Sequence, residues 1–268
     1  NTDPDSNIDS SLDSSPESIV IETSSAIVAS SGNNTVVSRQ TSSRRSNQQT
    51  QSISSEWNSN LNNILNNACD WLKNKEEGDM YFVALGGAGK SAGTQEYVMF
   101  MNDISKSTTY TQLYPLAMNT LNATFCGVNA SNVQGINLIN QISGFSDAEN
   151  SQTKALAYTL IALDSNAYTV PDNSVLTRET LRQHLMKRQL ENGSFQMLDE
   201  KDNALETTAL ALTALSGYSS DDNTQSALKK GVEYLQNMQS GNQRRSAFLD
   251  ESCNTVSQII TALNSLKI

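Results

Sequence analysis

Thiols, imidazoles, paired carboxylates and glycine-rich loops are the groups through which a chain most readily does chemistry. This sequence carries few of them at a usable spacing. Cys69, Cys126 and Cys253 lie far apart and match no CxxC pattern. That excludes a zinc ribbon and argues against a disulfide framework, since one pair at most can bridge and an odd thiol remains. The three read most simply as small buried hydrophobes. The single histidine, His184, sits in a stretch with helical periodicity and reads as a surface or seam residue. The run Gly86-Gly87-Ala88-Gly89-Lys90-Ser91 approaches the phosphate-loop pattern, but the position of that motif's first glycine holds Ala84. It also follows a helical pattern instead of a strand, so it reads as a helix–helix connection.

Composition narrows the function classes further. The 268 residues include 28 acidic and 18 basic side chains, a formal net charge of −10. Such a surface does not suit a duplex nucleic-acid binder, which must neutralise phosphates with Lys and Arg. No apolar run approaches the roughly 18–20 residues that span a bilayer. Little cysteine, abundant Ser, Asn and Thr, and acidic charge fit a bacterial extracellular or cell-surface protein. The chain begins at Asn1 without a Met or an apolar leader, so it reads as a mature or excised piece of a protein with further domains.

Residues 1–55 include 17 Ser and no Phe, Tyr or Trp. Too little apolar surface is available there to offset the entropy of ordering, and a disordered Ser/Asp/Asn-rich linker is expected. From Trp57 onward the pattern changes. Apolar residues recur at three and four, and helices are expected over 57–74, 80–88, 94–104, 111–122, 132–142, 151–164, 177–190, 204–216, 224–239 and 252–265. No alternating strand pattern competes, so the class is all-α over 56–268.

Two kinds of helix alternate. One is amphipathic, as with Leu181, Leu185 and Leu190 against Arg182, Lys187 and Arg188. The other is apolar nearly all round, as in Ala155–Leu163 and Ala209–Leu215, and must be surrounded by other helices. Leu85, Leu121, Leu163, Leu215 and Leu263 close such segments at spacings of 36, 42, 52 and 48 residues. Periods of that size with a two-helix unit indicate helical hairpins. A buried layer inside an amphipathic one fits a closed double ring better than an open solenoid.

At this point the chain resembles the α/α-toroid superfamily. Leu185-Met186-Lys187-Arg188-Gln189-Leu190-Glu191-Asn192-Gly193-Ser194-Phe195 is similar to that family's Q-x-x-x-G-x-W/F turn between an outer and an inner helix. Glu206–Leu215 resembles the start of the inner helix. Leu235–Gly241 is a degenerate second copy, and Tyr158–Asp164 resembles the squalene-cyclase-type repeat of secreted bacterial proteins. The resemblance implies an α/α toroid of about five hairpins, one short of the family's six. On that reading α-helix 252–265 lacks a following neighbour, and an edge at Ile259, Ile260, Leu263 and Leu266 is the expected main exposed apolar surface. In the turn itself, Gly193 permits the reversal, Phe195 plugs the seam and Gln189 reaches carbonyls at its own helix end. Asn203, Glu206 and Thr207 supply the inner helix's N-cap chemistry.

The family's enzymes are poorly matched. Asp199-Glu200-Lys201-Asp202 and Ser220-Asp221-Asp222-Asn223 lack the D-x-D-D spacing of the terpene cyclases. Asp250 and Cys253 have no third ligand for a prenyltransferase zinc, and Cys126-Gly127-Val128-Asn129 lacks the glutamine of a thioester. The expectation is therefore a non-catalytic binding or adhesion module without a resident metal or cofactor. A degenerate terpene-cyclase or prenyltransferase-like enzyme is the alternative. The resemblance places ligand contacts in loops before inner helices, at Gln152, Thr153, Glu206, Thr207, Thr208, Glu251 and Asn254. These suit a polar small molecule, and the toroidal cobalamin carriers (intrinsic factor, transcobalamin) make a corrinoid one possibility. No candidate for their second, β-rich domain is present.

Overall fold

The helical period governs the architecture. The structure, a computed structural model, describes residues 47–75, 79–107, 109–198, 203–240 and 252–268. Two compact units divide at Gln51 and Ser52, and apart from the first residues of α1 all that follows concerns the second. Residues 1–46 of the expected linker, together with Asp199–Asp202, Asp250 and Glu251, lie outside the described residues.

Among the described residues there are ten helices. They are α1 (Asn47–Lys73), α2 (Tyr81–Gly87), α3 (Thr94–Lys106), α4 (Leu113–Phe125), α5 (Leu138–Ser143), α6 (Thr153–Asp164), α7 (Arg178–Lys187), α8 (Ala204–Leu215), α9 (Asp222–Ser240) and α10 (Cys253–Ser265). No strand is present among those residues, only two isolated bridges, Val133–Ile136 and Gln189–Phe195. Two boundaries differ from expectation by more than three residues. Helix α1 begins at Asn47, ten residues ahead of Trp57. The helix expected over 132–142 is helical only from Leu138. Upstream, Val133 and Ile136 exchange backbone hydrogen bonds of 2.8 and 2.9 Å around Gln134 and Gly135, both at positive φ. Gly135 tolerates that geometry, Asn132 Oδ1 accepts from its N–H, and Asn137 then caps α5.

Helices α2, α4, α6, α8 and α10 pack one on the next in chain order, with α5, α7 and α9 laid respectively against α4, α6 and α8. Gln258 of α10 also reaches α6, its Nε2 donating to the Tyr158 hydroxyl. The fully apolar segments are the buried ones: Leu156, Leu160 and Leu163 of α6 and Leu212 and Leu215 of α8 are sealed from solvent. Their threonines do not break the pattern. The hydroxyls of Thr120 and Thr159 donate to the carbonyls four residues back, at 2.8 and 2.7 Å, so these two buried hydroxyls are paired within their own helices.

The turn at 185–195 folds tightly. Leu190 N–H donates to the Ser194 carbonyl at 2.8 Å, Gly193 sits at φ +88°, and Phe195 is buried. Gln189 Nε2 does not serve its own helix end. It donates to the Gly193 carbonyl at 3.1 Å and to the Ala227 carbonyl of α9 at 2.8 Å, tying this turn to the next amphipathic helix. A second tie runs through Arg182 of α7, which pairs with Asp221, the residue preceding α9, at 2.6 Å. Donation from the Thr224 backbone and hydroxyl, then from Arg182, holds the Asp221 carboxyl below its ordinary range.

The expected apolar edge on α10 is smaller than its sequence implies. Ile259 is buried, Leu263 and Leu266 are half-buried against the main core, and of the four Ile260 alone is exposed. These side chains close onto α8 and the 3-10 turn Ser216–Tyr218 that follows it. The larger exposed apolar set belongs to α1, with Trp57, Leu61, Ile64, Leu65 and Trp71.

Candidate functional site

Polar and charged groups gather where the row's helices begin. Asp79 lies two residues before α2, Tyr114 is the second residue of α4, and Lys154 the second of α6. Glu206 is the third residue of α8, and Gln258 lies in the second turn of α10. Tyr114 Oη donates to Asp79 Oδ2 at 3.0 Å, and its ring meets Tyr158 edge-on with centroids 5.8 Å apart. Gln258 Nε2 donates to Tyr158 Oη at 3.4 Å. The Asp79 backbone is held in turn, its carbonyl accepting from the buried Asn122 amide at 2.8 Å.

Lys154 and Glu206 form an ion pair at 3.0 Å with side chains only 19% and 16% exposed. The position of Lys154 is unusual. A cation in the first turn of a helix opposes the helix dipole, whereas Glu206 at the start of α8 is favoured by it. Such a local conflict, held by a specific partner, is typical of a functional position.

Electrostatics define what the tyrosines can do. Burial, then the Asp79 carboxylate, pushes the Tyr114 hydroxyl far above its ordinary range. Burial, then Glu206, raises Tyr158 as well, with Lys154 opposing. Both phenols stay protonated at neutral pH. Tyr114 donates its hydrogen bond to Asp79, whereas Tyr158 accepts one from Gln258.

Beside this cluster a cleft of about 260 Å³ opens between the segments that lead into α4 and α6. Gln112, Tyr114, Phe145, Asp147, Asn150 and Gln152 line it. Donors, acceptors and two aromatic rings thus share one small concavity. A groove of about 470 Å³ between α7 and α9 is larger but shallower, and Gln189 on its wall is already engaged in the turn.

The residues expected to touch ligand are only partly brought together. Gln152 lines the cleft and Glu206 joins the cluster. Thr153 is buried and donates to the Gln196 carbonyl at 2.5 Å, and Thr208 accepts from Phe195 N–H at 3.0 Å, so both fasten the turn instead. Asn254 is exposed on α10, and Glu251 lies outside the described residues. Asp79, Tyr114, Lys154, Tyr158 and Gln258 were missed, the last four because they lie inside segments that read as helix. The charge of Lys154 at a helix start was the available signal.

Thr207 is fully buried and its hydroxyl has no partner. An unmade hydrogen bond costs on the order of 1–3 kcal/mol. Thr207→Val is therefore expected to stabilise the protein by about 1 kcal/mol, read as a higher urea midpoint at unchanged slope. A lower midpoint would show that the hydroxyl is paired.

The thiols stand apart from the cluster. Cys69 is buried with Tyr81, Phe82 and Leu85, Cys126 is half-buried with its thiol pushed up to about 11 by burial, and Cys253 is exposed. All three are unbridged. Lys90 and Ser91 follow α2, a helix, which is not the strand-to-helix setting of a phosphate loop. Among the described residues no three His, Cys, Asp or Glu side chains converge, and no helix is long and apolar enough to cross a membrane. Neither the sequence nor the structure finds a match among protein-family models, curated proteins or solved structures.

Proposed function

We propose that this chain is a non-catalytic α/α-toroid binding module, secreted or displayed on a cell surface, that holds a small polar ligand at the shared N-terminal end of its buried helices. The observation that carries the reading is the convergence of Asp79, Tyr114, Lys154, Tyr158, Glu206 and Gln258 from the starts of the row's five helices, with Tyr114 also on the wall of the cleft. The toroid is supported by the alternation of buried and amphipathic helices and by the hydrogen bond from α10 to α6.

The cleft's size bears on the ligand. Drug-sized molecules occupy roughly 300–1,000 Å³, so 260 Å³ is small for a corrinoid with its nucleotide loop. A molecule of sugar or polyol size, able to hydrogen-bond Asp147, Asn150 and Gln152 and to lie against Tyr114 or Phe145, fits the lining better. Thermal-shift measurements with neutral mono- and disaccharides, and with cyanocobalamin, test this. A sugar is expected to raise the melting temperature, and Asp147→Ala to weaken its binding at least about tenfold, as for loss of a charge-assisted hydrogen bond. No shift with any sugar, or a shift indifferent to Asp147→Ala, would refute it.

A further inference from the structure

Helix α1 exposes more apolar side chain than any other described element. Trp57 is 73% exposed, Leu61 62%, Ile64 66% and Trp71 62%. With Ala68 they fall at spacings of four, three, four and three, the a/d seam of a heptad. The helix is also poorly supported by its own composition. Residues 57–74 contain seven Asn, a weak helix former, and helical stability in proteins comes mostly from packing of an apolar face. Cys69 and Leu72, near its C-terminal end, are where it packs on Tyr81, Phe82 and Leu85 of the unit.

We propose that this seam docks against the same seam of a second copy of the chain, so that the protein is a dimer through α1. Area and charge both favour a like partner. At roughly 150–250 Å² for a large aromatic, the stripe offers about 600 Å² per copy and about 1,200 Å² per pair, the lower end of a specific interface. The chain as a whole carries −10, which opposes self-association, but residues 57–74 hold only Asp70 and Lys73 and are neutral. Asn58, Asn60, Leu65, Asn67, Leu72 and Asn74 flank the seam without charge, so nothing there selects against an identical helix. An antiparallel pairing sets Trp57 opposite Ala68 and Leu61 opposite Ile64, large against small and medium against medium. A membrane surface is a poorer occupant, since such helices carry Lys and Arg on the polar face and residues 57–74 supply only Lys73.

Sedimentation equilibrium of the full chain at micromolar loading decides the matter. The wild type is expected at twice the 29.2 kDa chain mass, and Leu61→Glu/Ile64→Glu at the single-chain mass with unchanged far-UV circular dichroism. Ile260→Glu, on the exposed side of α10, is expected to leave the dimer intact. If the double variant does not fold, Trp57→Ser carries the same expectation of a shift towards monomer. A monomeric wild type, a dimer that survives loss of the seam, or one abolished by Ile260→Glu would overturn the proposal.

Discussion

Gly193→Ala is expected to lower the melting temperature by about 10 °C, corresponding to about 3–4 kcal/mol in a domain of this size. Two costs combine there. The residue sits at φ +88°, where an L side chain costs roughly 1–2 kcal/mol. A Cβ would also overlap the Lys230 carbonyl of α9 and crowd Tyr234, and overpacking against backbone adds about 1–3 kcal/mol. Gly135 separates the two contributions, since it has the same φ with open space around it. Gly135→Ala should cost only about 1–2 kcal/mol. Equal losses at the two positions, measured by urea unfolding, would show that the close approach of the turn to α9 contributes nothing.

The second large effect concerns the ion pair. Lys154→Met leaves the mostly buried Glu206 carboxylate without its cation, and breaking such a pair costs up to about 3–5 kcal/mol when burial is complete. With both side chains still partly open to water, about 2–3 kcal/mol is expected here. Glu206→Gln should cost less, because Gln retains polar capacity and Lys154 reaches solvent on its flexible stem. The double variant is expected to be more stable than the sum of the single losses predicts, with a coupling of about 1–3 kcal/mol. Additive losses would mean that the two charges are held by other neighbours and that the cluster is not a unit.

How far these features were legible follows from where each signal resides. The buried helices declare themselves by being apolar on every side, and Ala155–Leu163 and Ala209–Leu215 lie as their pattern requires. The reversal at Gly193 and the plug at Phe195 were equally plain, since turn chemistry is local. The partner of Gln189 was not, because Ala227 is brought to it only by packing of α9. Residues 132–137 show the opposite failure. Their apolar spacing imitates a helix, and Asn132, Gly135 and the cap Asn137 overrule it through turn geometry. The extra turns of α1 before Trp57 lack the apolar period that marks a helix, so composition hid them.

The site was less legible than the fold. Loop residues before the buried helices were the natural candidates, yet Thr153 and Thr208 are used up in fastening the turn. Tyr114 and Tyr158 sit inside segments that read as core, and the hydrogen bond to Tyr158 comes from α10, 100 residues on. Lys154 was visible all along as a cation at the wrong end of a helix. Its meaning depends on Glu206, 52 residues away, which sequence spacing does not connect.

The claim that ligand binds where these helices begin is tested most directly by fluorine NMR of the protein labelled with 3-fluorotyrosine, titrated with the same neutral sugars. The resonances of Tyr114 and Tyr158, assigned by their Phe variants, are expected to move together and saturably, while that of Tyr218, at the opposite end of α8, stays in place. Saturable movement of Tyr218 with Tyr114 and Tyr158 unmoved would contradict the account.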